Sequence, residues 1–194
     1  MEMSICKTLL FPLLTIALFI SLPQTSTAAN NEAYTNFVLT KCNVTTYISL
    51  CEKTLIPYAS SVKTNSTRLC KAALDVTIKA SKNASSTVST LKKQKGITRI
   101  EASIIKDCIE DVKDAVYELK QAVEAMKHLG DKDKAFQLSN AKTYASAVIT
   151  DADSCTEGFS GREVNPTVKE MINSSMANIT KLASNALALI NHLF

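Results

Sequence analysis

The side chains that could do chemistry in this 194-residue chain are few. Glu110, Asp111, Asp114 and Glu118 crowd one short stretch, and paired carboxylates are what acid–base chemistry on a glycoside requires. That chemistry needs them set in a cleft. Here they alternate with Lys106 and Lys113 at helical spacing, the pattern of a solvated ridge with ion pairs one turn apart. His128 and His192 are the sole histidines. His128 lies just before Gly130, where a partly positive ring favours a helix C-terminus, and His192 is third from the end, where helices fray. Neither belongs to a recognisable nucleophile motif, no G-x-G-x-x-G or G-x-x-x-x-G-K loop exists to hold a phosphate, and no Cys/His group has zinc-ligand spacing. The sequence predicts no catalytic residue, no metal and no cofactor.

The elements that carry these residues are legible from their punctuation. With 4 Gly, 4 Pro and no Trp, the chain lacks the turn residues an all-β sandwich or barrel needs. Gly96, Gly130, Gly158, Gly161 and Pro166 separate long segments free of breakers. Each segment carries an apolar stripe spaced by threes and fours: Leu69, Ala73, Val76, Ala80, Ala84, Val88 and Leu91 in the first; Ile100, Ile104, Cys108, Val112, Ala115, Leu119, Ala122 and Met126 in the second. The third reads Leu138, Ala141, Ala145, Val148, Ala152 and Cys155, and the fourth Val168, Ile172, Ser175, Ile179, Leu182, Ala186 and Leu189. Asn165 before Pro166 reads as a cap followed by the first helical position. The prediction is an all-α, up-and-down four-helix bundle over 66–194, closely packed because its stripes are rich in Ala and Ser, preceded by a helical hairpin over 29–62.

The N-terminus reads as a secretory signal peptide over 1–28. Its apolar run from Thr8 to Leu22 is 15 residues long, short of the roughly 20 that span a membrane, and Ser26 and Ala28 occupy the small positions before a cleavage site, with cleavage after Ala29 the alternative. The net charge of +4 is distributed along the sequence without a basic block, so neither nucleic acid nor a membrane is an expected partner. Five sequons, at Asn43, Asn65, Asn83, Asn173 and Asn178, are candidate N-glycosylation sites on a secreted, extracellular protein. Five cysteines follow the signal segment, so two bridges and one free thiol is the simplest account. Their order alone leaves the pairing open. Cys108 and Cys155 lie on the core stripes of consecutive helices, where a bridge would contribute roughly 4 kcal/mol in the chain-entropy model; a Cys42–Cys51 bridge would tie the hairpin around Thr45-Thr46-Tyr47. Cys70 then remains free, as a small buried hydrophobe.

Several segments, taken in order, resemble the plant invertase and pectin methylesterase inhibitor family: Cys42 and Cys51 with Tyr47 between them; Ile105-Lys106-Asp107-Cys108-Ile109-Glu110-Asp111-Val112-Lys113-Asp114-Ala115-Val116; Ala145-Ser146-Ala147 leading to Ser154-Cys155-Thr156-Glu157-Gly158-Phe159; and Leu182 through Ile190. The resemblance covers essentially all of 29–194. It implies the disulfides Cys42–Cys51 and Cys108–Cys155, the hairpin and the bundle. It also implies inhibition of another enzyme. In pectin methylesterase inhibitors, acidic side chains of the second bundle helix meet the esterase in a Cys-x-Glu-x-x-x-Asp-Ala pattern, which Glu110 and Asp114 match. Tyr117 stands at a third, usually acidic position, Ser154 replaces a Thr, and Tyr144 replaces a Trp of the third helix. Invertase inhibitors of the family instead carry Pro-Lys-Phe before that helix; Gly130-Asp131-Lys132-Asp133-Lys134-Ala135-Phe136 keeps the Lys and Phe but has no Pro.

The expected function is therefore a monomeric, cell-wall inhibitor of pectin methylesterase that blocks the pectin-binding cleft in a one-to-one complex. Acid invertase is the alternative target. A secreted carrier of apolar ligands is the alternative of another class, and the small residues on all four stripes leave little room for its cavity.

Overall fold

The structure, a computed structural model, describes residues 24–194. The signal-peptide expectation falls almost entirely outside them, as does Cys6. Four long helices dominate: α4 (Ser66–Leu91), α5 (Arg99–Lys127), α6 (Lys134–Glu157) and α7 (Pro166–Asn191), preceded by α1 (Gln24–Cys42), α2 (Ile48–Leu55), a single 3₁₀ turn (Ile56–Tyr58) and the short α3 (Ala59–Val62). No strand occurs among the described residues, and none of their helices is long and apolar enough to cross a membrane.

Three of the four long helices start where a side chain takes up orphan amides, whereas Asp133 before α6 makes no such bond. Asn65 Oδ1 accepts from the amide of Arg68 at 2.9 Å, and Asn165 Oδ1 from that of Thr167 at 2.9 Å. Thr98 and Glu101 form a reciprocal capping box at α5. Glu101 does more than cap its own helix: while Oε2 accepts from Thr98, Oε1 accepts from the backbone amide of Asn165 at 2.6 Å, so one buried carboxylate closes the N-termini of both α5 and α7. Gly96 and Gly161, at φ +88° and +66°, make the reversals that an L side chain resists.

The long helices form a closed ring in which each packs on its sequence neighbours and α7 returns to α4. The broadest contact, α5 against α6, is lined by alanines: Ala115, Ala122, Ala141 and Ala145 are at most 1% exposed. Lacking bulk, they let the two helices approach, and the Cys108–Cys155 disulfide spans them with Cα atoms 4.4 Å apart. A second disulfide joins Cys42 to Cys51 at the bend between α1 and α2. This N-terminal hairpin lies against α4 and α7. Its bend is held by a side chain far away in sequence: buried Asn185 of α7 accepts from the Tyr47 amide at 3.0 Å and donates to the Tyr47 carbonyl at 2.9 Å.

Four of the expected stripe positions are corrected. Ile100 is 56% exposed; the inward position belongs to Glu101, about 100° further around the helix, because the capping box turns that carboxylate inward. In α4, Val76 and Ala80 are half-buried on the flank, whereas Thr77 and Ser81 are fully buried. Their hydroxyls donate to the carbonyls of Ala73 and Thr77 one turn back, at 2.8 and 3.0 Å, so small polar side chains enter the core already satisfied. In α7, Met176 is buried in place of the half-buried Ser175.

Candidate functional site

The acidic residues of α5 share a rigid platform. Ile104, Ile105, Cys108, Val112, Ala115 and Leu119 anchor the inner side of the helix in the core, and the disulfide ties its N-terminal third to α6. Opposite them, Glu110 and Asp114 stand one turn apart on the exposed face, beside Tyr117, which is 59% exposed. Glu110 forms an ion pair with Lys113 at 3.0 Å; at such exposure the pair contributes about 0–1 kcal/mol. Asp114 makes no ion pair among the described residues.

The predicted ridge is split rather than uniform. Asp111 and Glu118 are half-buried on the flank turned toward α6. Desolvation by burial raises the pKa of each, with the neighbouring charges of Asp107 and Asp114 adding to the rise at Asp111 and that of Asp114 at Glu118. Across the seam, α6 contributes Asp151, which sequence reasoning missed. Burial, and then Asp114, Glu118 and Asp111, push its pKa up to about 6. Its Oδ2 is buried without a hydrogen-bond partner. No sequence signal could have found it, because Asp151 joins the cluster only through the α5–α6 packing. Asp107 was detectable, four residues before Asp111 on the same flank.

The remaining candidates lie apart. His128 ends α5, with Nδ1 2.9 Å from Asp131 and Nε2 3.2 Å from Glu124; these hydrogen bonds, Asp131 first, raise its pKa. His192 ends α7. Cys70 is a free, buried thiol whose pKa burial pushes up to about 12, so it is no nucleophile. Among the described residues no group of three His, Cys, Asp or Glu could hold a metal ion. Lys134 and Phe136, expected in the segment before the third bundle helix, lie in the first turn of α6, where Phe136 is 62% exposed and Lys134 places Nζ 3.3 Å from the centre of the Phe194 ring. Tyr144 is half-buried against the core and Ser154 is exposed. Among the sequon residues, Asn43, Asn83 and Asn178 are exposed, Asn65 caps α4, and Asn173 buries its Oδ1.

The chain thus presents an exposed acidic face on a braced helix. Comparison with known proteins places it in a lineage. The family described as plant invertase/pectin methylesterase inhibitor matches residues 36–189. Pectinesterase inhibitor 4 of Arabidopsis thaliana is 37% identical over 92% of this chain and 94% of its own length, and pectinesterase inhibitor 11 of the same plant is 35% identical over 94% and 92%. The fold matches the crystal structure of a mutant form of a pectin methylesterase inhibitor from Arabidopsis, with a TM-score of 0.61 over 79% of this chain and 94% of that one, at 21% identity. Helical ring, family match and near full-length relatives agree: the chain belongs to the plant invertase/pectin methylesterase inhibitor family.

Proposed function

We propose that this protein is a secreted inhibitor of pectin methylesterase, not an enzyme, and that it lays its bundle over the esterase's pectin-binding cleft in a one-to-one complex. The observation that carries this reading is the 37% identity to pectinesterase inhibitor 4 along nearly the whole of both chains. The mechanism is steric. A bundle braced by two disulfides loses little conformational entropy on docking, so its exposed face excludes the methylated polymer without itself reacting. Asp114 and Glu110 offer carboxylates at fixed positions, and Tyr117 beside them supplies an aromatic contact of the kind enriched at interface hot spots. The inhibitor unit occupies residues 29–194, with glycans, where added, on the exposed Asn43, Asn83 or Asn178.

The test is titration of the purified protein against plant pectin methylesterase and acid invertase in parallel. Esterase activity falls to its floor at one equivalent while invertase is untouched; inhibition of invertase alone overturns the reading. Glu110→Lys with Asp114→Lys weakens esterase binding roughly ten- to a hundredfold, with helical content unchanged. Undiminished inhibition by that variant would return both residues to the role of a solvated face.

A further inference from the structure

The cations are scattered in sequence, yet the helices gather them. Lys106, Lys113, Lys120 and Lys127 recur every seven residues on α5 and are all exposed. Seven residues is nearly two turns, so they follow one flank of the helix for about 32 Å. The opposite flank carries Asp107, Asp111, Asp114 and Glu118, which makes α5 two-sided in charge. Antiparallel α4 lies along the basic flank. It brings Lys82 beside Lys113 and Lys120 around a groove of about 340 Å³ that also takes in Val116 and the exposed Tyr117. At the end of the same face a hollow of about 500 Å³ is lined by Arg68, Lys71, Lys127 and Lys134. Neither lining includes an acidic side chain. Glu110 and Glu124 occupy Lys113 and Lys127, and Asp75 is exposed on α4. Lys82, Lys120, Arg68 and Lys71 make no ion pair among the described residues.

We propose that this α4–α5 face binds a linear polyuronate, a polysaccharide bearing free carboxylates along its chain. A row of cations this long complements a repeated anion rather than a single one, and an open groove with a tyrosine on its wall offers a ring for the face of a sugar. The choice of a uronate among polyanions rests on the inhibitor reading above, because removal of methyl esters from pectin leaves such a chain. Binding there would hold the inhibitor on de-esterified wall polymer, next to the enzyme that makes it.

Affinity electrophoresis through gels containing polygalacturonate, or fully methyl-esterified pectin as the neutral control, tests the proposal with the intact protein. Polygalacturonate retards the protein, the neutral polymer does not, and raised ionic strength abolishes the retardation. Lys82→Glu with Lys120→Glu weakens binding roughly tenfold, whereas Lys82→Arg with Lys120→Arg preserves it. Equal retardation of the glutamate variant, equal retardation by the neutral polymer, or tighter binding to phosphatidylserine vesicles than to polygalacturonate overturns it. Esterase inhibition on the same samples separates the two readings. Retardation without inhibition removes the inhibitor reading and leaves this surface standing; inhibition without retardation does the reverse.

Discussion

Asn185→Ala removes a side chain that joins α7 to the bend of the N-terminal hairpin through two hydrogen bonds, at 3.0 and 2.9 Å. Each bond contributes a net ~1 kcal/mol. Truncation also leaves the Tyr47 amide without a partner in a partly buried position, whereas the Tyr47 carbonyl still accepts from the Cys51 amide at 2.9 Å, and Asn185 itself is only 3% exposed, so water replaces the lost side chain poorly. Adding this to the two lost bonds gives a destabilisation of about 3 kcal/mol. In urea that is a midpoint shift of about 1.5 M for a slope near 2 kcal/mol/M, followed by far-ultraviolet circular dichroism. Asn185→Asp sharpens the test. The carboxylate still accepts from the Tyr47 amide, but its other oxygen now faces the Tyr47 carbonyl. Burial and that repulsion raise the pKa of the new Asp in the folded state, so stability returns as pH falls and the protonated acid donates where the amide did. A loss below 1 kcal/mol for Asn185→Ala, or an Asn185→Asp variant whose deficit does not shrink in acid, would refute the reasoning.

Other substitutions probe the caps and the acidic seam. Glu101→Gln weakens the acceptor shared by α5 and α7; hydrogen bonds from Asn165 and Thr98 lower the pKa of the native carboxyl, so its contribution is present above the ordinary Glu range and lost as pH falls through the depressed value. The variant's thermal midpoint therefore lies below that of the native protein at neutral pH and converges with it in acid. Asp151→Asn acts with the opposite sign. A carboxyl raised to about 6 costs stability when ionised, and the asparagine variant gains about 1 kcal/mol at neutral pH after allowance for solvent screening, a gain that vanishes as pH falls below the ordinary Asp range. Lys63 ends α3 at φ +56°, a conformation costly for a side chain, and Lys63→Gly raises stability by about 1 kcal/mol in the same urea titration.

Much of the fold follows from local sequence. The helix boundary at Asn165 is visible because capping is a contact between residues two or three apart, a contact the structure adds at Asn65 and Thr98, and Gly96 and Gly161 stand where the backbone needs a left-handed turn. The core stripes are legible for a similar reason, since a period near 3.6 is a property of one helix. The stripe of α4 departs from apolarity at Thr77 and Ser81 because a hydroxyl bonded to its own helix is buried as readily as a methyl group. Glu110 and Asp114 are singled out by the family resemblance, whose acidic pattern lies within one helix, and the structure keeps them exposed on one face.

Features built from two helices at once were not legible. Asn185 and Tyr47 are 138 residues apart, Asp151 reaches the acidic flank of α5 only across the α6 seam, and Glu101 caps a helix that starts 65 positions later in the chain at Pro166. The charge tells the same story. Counted along the sequence, the cations form no block; wound at seven-residue intervals on α5 and set antiparallel to α4, they line one face. Sequence alone determined which segments are helical and, to within one position at Thr77, Ser81, Glu101 and Met176, which side of each turns inward, because those choices depend on neighbours along the chain. Which polar residues meet was decided by the tertiary packing, because a hydrogen bond or a charged surface depends on distance in space.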